Sequence, residues 1–209
     1  MGKRQDYLKE ICQERFDEGS HIKPSKSELL DSKYYNIIET VYRNLNGQQS
    51  IPPTRFGPWD IEMKDFIIEL DEERHFNRYR ETTLKSELYL NWKSFDIEKY
   101  RLFCTKFEQK CLSAAGWSGN WKNNSTEKQF EKSNTEKELA GNGSSRWKQR
   151  AYYDFVKDVS SQIMGVPIIR ISIYDTIDSL TINELLNNHR KEILLNYIEN
   201  RISKTKYYE

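Results

Sequence analysis

The sequence predicts an α/β fold in which a mixed β-sheet is flanked by helices. Two apolar runs rich in β-branched residues, 66–71 and 168–174, have the composition of buried strands. A long segment with helical periodicity separates them, and a strand–helix–strand succession usually places the two strands side by side in parallel. A hairpin over residues 59–71, with its turn at Lys64-Asp65, completes the predicted sheet.

Helices are predicted on both sides of this hairpin. Residues 3–18 are loosely amphipathic, and helical spacing of apolar residues follows the potential N-cap Ser27 as far as Leu45. A helix with a basic start runs to about Met164, where Gly165 ends it. The remaining predicted helices cover 81–92, 96–115, 178–189 and 190–203.

The segment 116–146 differs in composition from the rest of the chain. Gly, Ser, Asn, Lys and Glu dominate it, with Trp117, Trp121 and Phe130 as its main large apolar residues. Such a run predicts a functional or disordered loop. We therefore expect a single domain over residues 1–209, with a helical and loop insertion over 81–146.

Composition limits the classes of function. A net charge of +1 argues against a polycation that coats nucleic acid, but it leaves room for a local basic groove. The cysteines (Cys12, Cys104 and Cys111) form no paired pattern, which indicates reduced thiols and a cytoplasmic protein. The apolar runs are too short to predict a membrane span.

The strongest functional signal is a group of acids around the hairpin. Glu69 and Asp71 are two residues apart in a strand and therefore share one face, and the hairpin brings Asp60 alongside. His75 follows the strand end. Carboxylate oxygens suit Mg²⁺ (or Mn²⁺), so we predict a metal-dependent hydrolytic site with Asp60, Glu69 and Asp71 as ligands and His75 as a catalytic group.

Basic residues near this group are candidates for phosphate contacts. We expect Lys148 and Arg150, at the start of the long helix, to reach the scissile phosphate, with Lys148 also a catalytic candidate. The complete set predicted to contact nucleic acid is Arg74, Arg78, Arg80, Arg146, Lys148 and Arg150.

Structural roles remain open for the same residues. A solvated helix face is the ordinary explanation of an arginine run, Asp71 fits a helix cap, and Glu69 fits the exposed face of a sheet. Arg170 lies among isoleucines, so we expect it to meet Glu69 or Asp71, and a structural ion pair is at least as good an explanation as catalysis.

The residues resemble a known family. Asp60, the strand end Glu69-Leu70-Asp71 and the following His75 look like the PD-(D/E)XK nuclease superfamily, closest to the very-short-patch-repair endonucleases and uncharacterised bacterial relatives. The helix over 146–157, then Gly165 and the strand over 168–171, match the second half of that pattern. The likeness covers about 59–77 and 146–175.

This resemblance implies an αβββαβ restriction-endonuclease-like core with C-terminal helices. It also implies Mg²⁺-dependent cleavage of DNA, metal ligation by Asp60 and Glu69, and assistance by His75. The chain departs from the pattern where Asp71 replaces the lysine of the E-x-K motif and where Glu72 replaces a glycine. Water activation would then depend on the metal, on His75 or on a lysine from elsewhere, such as Lys148.

The predicted function is therefore that of a metal-dependent DNA endonuclease in restriction, repair or phage defence. One alternative is a catalytically inactive nucleic-acid-binding module on the same fold. The other is a protein-interaction subunit that docks through helices 178–203. DNA is the expected partner, with a homodimer or a protein partner as a further expectation.

Overall fold

The main β-sheet has the predicted topology. The computed structural model describes residues 2–116, 121–135 and 138–206. β1 (Ile61–Met63) and β2 (Phe66–Asp71) form an antiparallel hairpin that turns at residues 64–65, and β3 (Ile168–Ser172) lies parallel to β2. The strand order is β1-β2-β3. The hairpin and the parallel pairing are confirmed, and the fold is mixed α/β.

Helices surround this sheet. In chain order they are α1 (Lys3–Arg15), α2 (Lys26–Asp31), α3 (Tyr35–Asn44), α4 (Arg78–Thr83), α5 (Ile97–Lys106), α6 (Glu108–Ala115), α7 (Asn124–Phe130), α8 (Ser145–Met164), α9 (Ile182–Asn187) and α10 (Lys191–Lys206). Short 3₁₀ turns occur at Glu73–His75 and Glu87–Tyr89. A small separate hairpin, β4 (Thr176–Ile177) and β5 (Leu180–Thr181), precedes α9.

The helix predicted from Ser27 to Leu45 is wrong as a single element. α2 is capped by Ser25, whose hydroxyl accepts from the Glu28 N–H while the Glu28 carboxylate accepts from the Ser25 N–H. At Ser32 the side chain bonds to the Leu29 carbonyl and to the Tyr34 N–H. These local bonds compete with the helical ladder, and a new helix begins at Tyr35.

Other predicted helices also differ from the structure: 96–115 is divided into α5 and α6, and 178–189 contains β5 before α9 begins at Ile182. Asp96 caps α5 as expected, accepting from the Lys99 N–H, and Gly116 follows the end of α6 with a positive φ of 58°. The predicted helix 81–92 becomes α4, which begins at Arg78 under an Asn77 cap, followed by the second 3₁₀ turn. Its six residues are too few for the long helix that the periodicity suggested.

The segment 116–146 is more ordered than its composition indicates. Trp121 and Phe130 are buried, and α7 is fixed by a capping box between Asn123 and Thr126. α7 packs on α8, and the Thr126 and Ser145 hydroxyls are 2.9 Å apart. The expectation of a structureless loop is therefore wrong over 121–130; Trp117 lies outside the described residues.

The two faces of the sheet have opposite character. Ile68, Leu70, Ile169 and Ile171 point to one side, where they pack against residues of α1, α9 and α10 in one apolar cluster. The alternate residues, among them Glu69, Asp71 and Arg170, point to the side that α8 covers. Strand alternation thus places ionisable side chains in the interface between the sheet and α8.

A second apolar cluster lies between α8, α3 and the helices of the 81–146 segment. The three cysteines are buried and free, as their lack of paired spacing predicted. None of the helices in the described part of the chain combines the length and apolar character that a bilayer crossing demands.

Candidate functional site

A buried layer of charges fills the interface between the sheet and α8; we call it the charged layer. The sheet contributes Glu69, Asp71 and Arg170. The helix contributes Asp154, Lys157 and Asp158, whose spacing of three and four residues puts them on one helix face. His75 and Arg80, from the segment that follows β2, complete the layer.

Arg170 is the centre of the charged layer. Its Nη1 donates to Asp71 Oδ1 at 2.8 Å and its Nε donates to Asp158 Oδ1 at 2.7 Å. The opposite oxygen of Asp158 accepts from Arg80 Nη2 at 3.0 Å and from the Tyr89 hydroxyl at 2.5 Å. Asp71 and Arg170 lie on neighbouring strands, so the predicted ion pair is confirmed. Because these groups are fully buried and mutually satisfied, they hold sheet and helix together.

One end of the charged layer lies at the hairpin, and we call it the hairpin end. Lys157 Nζ donates to Glu69 Oε2 at 2.6 Å. Asp60 is joined to β2 by two bonds: its N–H donates to Glu69 Oε1 at 3.2 Å, and its Oδ2 accepts from the Leu70 N–H at 2.9 Å. The Glu69 carboxylate is therefore held by the Lys157 ammonium and the Asp60 backbone N–H, and the Asp60 carboxylate is close enough to influence both side chains electrostatically.

The protonation of Glu69 is balanced near neutrality. Burial raises the pKa of Glu69 to about 7, and the neighbouring Asp60 adds to this shift while Lys157 opposes it. Burial lowers the pKa of Lys157, but the carboxylates of Glu69, Asp60 and Asp154 outweigh burial, so the net shift is upward. The lysine is therefore charged at neutral pH, whereas the glutamate exchanges a proton there.

The hairpin end has access to the surface through Asp60. A cleft of about 410 Å³ is lined by Trp59, Asp60 and Glu62 on one side and by residues of α1 and 18–19 on the other. Glu69 is buried and is not among the residues that line this cleft. Lys157 Nζ lies 5.7 Å from the centre of the Trp59 ring, which covers the lysine.

The other end of the charged layer lies at His75, and we call it the histidine end. His75 Nδ1 is 2.9 Å from Asp154 Oδ2 and 3.2 Å from Asp71 Oδ1, and Arg150 Nη1 is 3.4 Å from His75 Nε2. One donor atom from each of Asp71, His75 and Asp154 lies within 4.8 Å of the others, a spacing compatible with a metal ion.

Charge balance favours a proton over a divalent ion at the histidine end. Three buried aspartates, Asp71, Asp154 and Asp158, face two buried arginines, Arg80 and Arg170. With Arg150, which lies 3.4 Å from His75, counted as a third cation, a proton on the imidazole leaves an excess of one positive charge and a divalent ion leaves an excess of two.

The pKa shifts agree with this interpretation. Burial lowers the pKa of His75, but Asp154 and Asp71 outweigh it, and the net shift is upward. Burial would raise the pKa of Asp154, yet His75 and the two arginines hold it well below its ordinary value.

The chain matches the profile of one protein family, described as a family of unknown function (DUF7255), over residues 40–188. The chain belongs to this family. The matched range contains the hairpin, α8, β3 and hence every residue of the charged layer. No curated protein and no solved structure matches the chain.

The structure brings some of the predicted site residues together and separates others. The hairpin brings the backbone N–H of Asp60 to Glu69 Oε1, at 3.2 Å; shared metal ligation by the two carboxylates stays a prediction. Asp71, the third predicted metal ligand, instead pairs with Arg170 and joins His75 at the histidine end. Glu69 and Asp71 share a face but serve different ends of the layer.

Lys148 does not reach the acids. Nine residues separate it from Lys157, which is two and a half helical turns, so the two side chains leave α8 on opposite faces. Lys148 is buried with its Nζ 5.7 Å from the Tyr79 ring, and no hydrogen-bond acceptor for it occurs among the described residues. The lysine at the site is Lys157, which the sequence reasoning missed.

Two arginines predicted to contact nucleic acid have other partners. Arg80 is only 1% exposed and is paired with Asp158, so the structure contradicts its predicted role at the surface. Arg78 is exposed, but its guanidinium and its backbone N–H both bond to Glu108.

The remaining predicted contacts lie near the histidine end. Arg150 approaches His75, and Arg146 Nη1 bonds to the Gln149 side chain at 2.6 Å. Arg74 Nε donates to the Ala114 carbonyl. Their role in binding nucleic acid stays a prediction.

Sequence reasoning also missed Asp154 and Asp158. A signal was present, because charged residues at 154, 157 and 158 interrupt an apolar pattern that includes Phe155, Val156 and Val159. Charged residues with helical spacing inside an apolar helix indicate a buried ionic partner.

Proposed function

We propose that the chain is a metal-dependent phosphodiesterase that cleaves nucleic acid, with its catalytic groups at the hairpin end. The observation that carries the proposal is the position of Glu69, which accepts from Lys157 Nζ at 2.6 Å and from the backbone N–H of Asp60 at 3.2 Å. Two acids and a lysine are the groups that define the PD-(D/E)XK pattern. Here α8 supplies the lysine, which accounts for an aspartate at position 71.

The residues at the hairpin end fit Mg²⁺ or Mn²⁺. Both acids offer carboxylate oxygens, which hard divalent ions prefer, and the cleft beside Asp60 gives an ion and its water ligands a route in. Asp60 and Glu69 would hold the ion. When bound, such an ion supplies positive charge to a phosphate and lowers the pKa of a coordinated water.

The protein groups then have separate tasks. Glu69 has to lose its proton before it binds a cation, so its raised pKa makes the site sensitive to pH near 7. Lys157 is held charged beside Glu69 and can stabilise negative charge that develops on the phosphate. Asp60 is the more accessible acid and faces the cleft.

The order of elements supports a restriction-endonuclease-like core. A helix precedes the hairpin, and a long helix leads from the hairpin to a parallel third strand, as the resemblance implies. The main sheet has three strands in the described residues, one fewer than αβββαβ contains. We propose this core as a reduced form of that arrangement.

The main alternative is a catalytically silent nucleic-acid-binding module. It is favoured by the fact that the buried acids already have cationic partners: Glu69 is paired with Lys157, and Asp71 with Arg170. In that case the charged layer is a structural device and binds no metal.

Cleavage of supercoiled plasmid in the presence of Mg²⁺ or Mn²⁺ tests the proposal. We expect nicking by the wild-type chain, loss of nicking in Asp60→Asn and Glu69→Gln, and retention in Asp65→Asn, an exposed acid in the turn of the same hairpin. Circular dichroism verifies that each variant folds.

Two results contradict the proposal. Binding of DNA without metal-dependent nicking supports the silent module. Absence of both binding and nicking, with co-purification of a protein, supports the interaction subunit that docks through α9 and α10.

A further inference from the structure

A basic cleft lies close to the hairpin end, on the surface formed by the segments 23–26 and 54–56. It has a volume of about 460 Å³. Three of its seven lining residues, Lys23, Lys26 and Arg55, are cationic, and none is acidic. We call it the Lys23 cleft.

The positive charges of the Lys23 cleft are not neutralised by carboxylates. Within the described ranges, none of its three cations forms an ion pair, whereas the arginines Arg78 and Arg101 are each paired with glutamate. Lys23 Nζ donates to the Gly57 carbonyl at 2.7 Å. This bond satisfies one N–H of the ammonium group but does not neutralise its positive charge.

The nearest acid in sequence is Glu28, which is not among the residues that line the cleft. Glu28 lies on α2 beside the cleft, and its carboxylate is held by the Ser25 N–H at 2.7 Å in the capping box. Lys26 and Arg55 are exposed to solvent. The residues that line the cleft therefore carry three positive charges and no negative charge.

Aromatic contacts connect the cleft to the hairpin end. Lys23 Nζ lies 4.9 Å from the centre of the Phe56 ring, and Phe56 packs edge-on against Trp59 at 5.1 Å between ring centres. Trp59 in turn covers Lys157. Burial and the charge of Lys157 lower the pKa of Lys23, whereas Glu62 and Glu69 raise it. Lys23 is therefore close enough to Glu69 and Lys157 to interact with them electrostatically.

We propose that the Lys23 cleft binds the sugar–phosphate backbone of a nucleic-acid strand and leads it to Asp60 and Glu69. The proposal rests on the function proposed above and names its substrate-binding surface. Three cations without a salt-bridge partner can contact phosphates, and release of counterions from a polyanion supplies the binding free energy. Pro24 and Phe56 give the cleft apolar walls against which a sugar or a base can pack.

This surface differs from the arginine rim that the sequence predicted. Among those arginines, Arg80 is buried and Arg78 is paired, and Arg150 lies at the histidine end, across the charged layer from Asp60. The Lys23 cleft lies on the side where the two acids meet.

Fluorescence anisotropy with short labelled DNA and RNA strands and a DNA duplex tests the proposal. Excess EDTA keeps the strands uncut, and the salt concentration is varied between about 50 and about 200 mM. The test variant is Lys23→Gln/Lys26→Gln/Arg55→Gln in the full chain. The control variant, Lys128→Gln/Lys132→Gln/Lys204→Gln, removes the same charge at exposed positions outside the cleft.

We expect the cleft variant to bind at least about tenfold more weakly than the control at low salt. Its slope of log K against log salt should be shallower by about 2 to 3, the value for three lost phosphate contacts. Equal loss in the two variants overturns the proposal, because bulk charge would then explain binding. Failure of the wild-type chain to bind any strand overturns it as well.

The experiments distinguish failure of the Lys23 cleft proposal from failure of the nuclease proposal. If the cleft variant loses binding while the wild-type chain binds but does not nick DNA with metal, the cleft stands and the catalytic proposal fails. If the wild-type chain nicks DNA and the cleft variant binds and nicks like the control, the catalytic proposal stands and the cleft fails. Thermal unfolding of both variants excludes misfolding as the cause.

Discussion

The two lysines of α8 provide the sharpest structural prediction, because one has a carboxylate partner and the other has none. Lys157→Met removes the cation that lies 2.6 Å from Glu69 Oε2. At an effective dielectric constant of about 20, the attraction at that distance is about 6 kcal/mol before desolvation is subtracted. Breaking a buried pair by removing one partner costs about 3–5 kcal/mol.

Protonation of Glu69 limits that cost and makes it depend on pH. Its folded-state pKa is about 7 and lies above the unfolded value, so the neutral acid favours the folded state at low pH, and this contribution is lost as the pH rises through 7. Without Lys157 the charged carboxylate has no close cation. We therefore expect Lys157→Met to lose about 3 kcal/mol at pH 8.5 and less than about 1 kcal/mol at pH 6.

Lys148→Met is the matched control. Lys148 is buried without a hydrogen-bond acceptor among the described residues, so its replacement by an apolar side chain should leave stability unchanged or raise it by about 1 kcal/mol. Guanidinium unfolding followed by far-UV circular dichroism at pH 6 and pH 8.5 measures both variants. A loss of stability for Lys157→Met that is the same at both pH values, or an equal loss for Lys148→Met, would show that Lys157 does not stabilise the fold through the Glu69 carboxylate.

Three further predictions concern the charged layer. The affinity for Mn²⁺ should rise by up to about tenfold per pH unit below pH 7 and level off above it, because the metal-free site has to lose the Glu69 proton before it binds the ion; an affinity that is flat between pH 5.5 and pH 8.5 contradicts this role. His75→Gln should destabilise the fold most below about pH 6.5, since the raised folded-state pKa of His75 gives stability there that disappears as the pH rises; urea unfolding at pH 5.5 and pH 9 measures the difference. Arg170→Met should lose about 3–5 kcal/mol in chemical unfolding by stranding Asp71 and Asp158, and a loss below about 1 kcal/mol would show that the network is dispensable.

The hairpin and its acids were predictable because they depend on local rules. A β-branched run interrupted by Glu69 and Asp71 fixes a strand and the shared face of its acids, and the short turn at residues 64–65 returns Asp60 to Glu69. The parallel partner strand follows from the long helix between the two runs.

The partners of those acids were harder to predict, because they depend on the rotation of α8 about its axis. A helix start rich in Lys148 and Arg150 suggested that this end faces the acids, but the face is set by apolar packing along the whole helix. That packing turns Lys157 and Asp154 toward the sheet and leaves Lys148 on the opposite side. The basic residues at the start of α8 therefore do not show which face of the helix contacts the sheet.

The burial of Arg80 was unpredictable for a related reason. Its neighbours Arg78 and Glu81 are typical of an exposed helix face, yet Arg80 is held inside by Asp158 and Tyr89, which are far away in the sequence. A buried arginine resembles an exposed one in sequence until its carboxylate partner is known.

A calorimetric titration of the full chain with Mn²⁺ at pH 8 distinguishes the two ends of the charged layer as the site of metal binding. We expect the wild-type chain to bind Mn²⁺, His75→Gln to bind it still, and Glu69→Gln to lose binding. Binding that survives in Glu69→Gln and disappears in His75→Gln would place the ion at the histidine end and contradict the proposed catalytic centre.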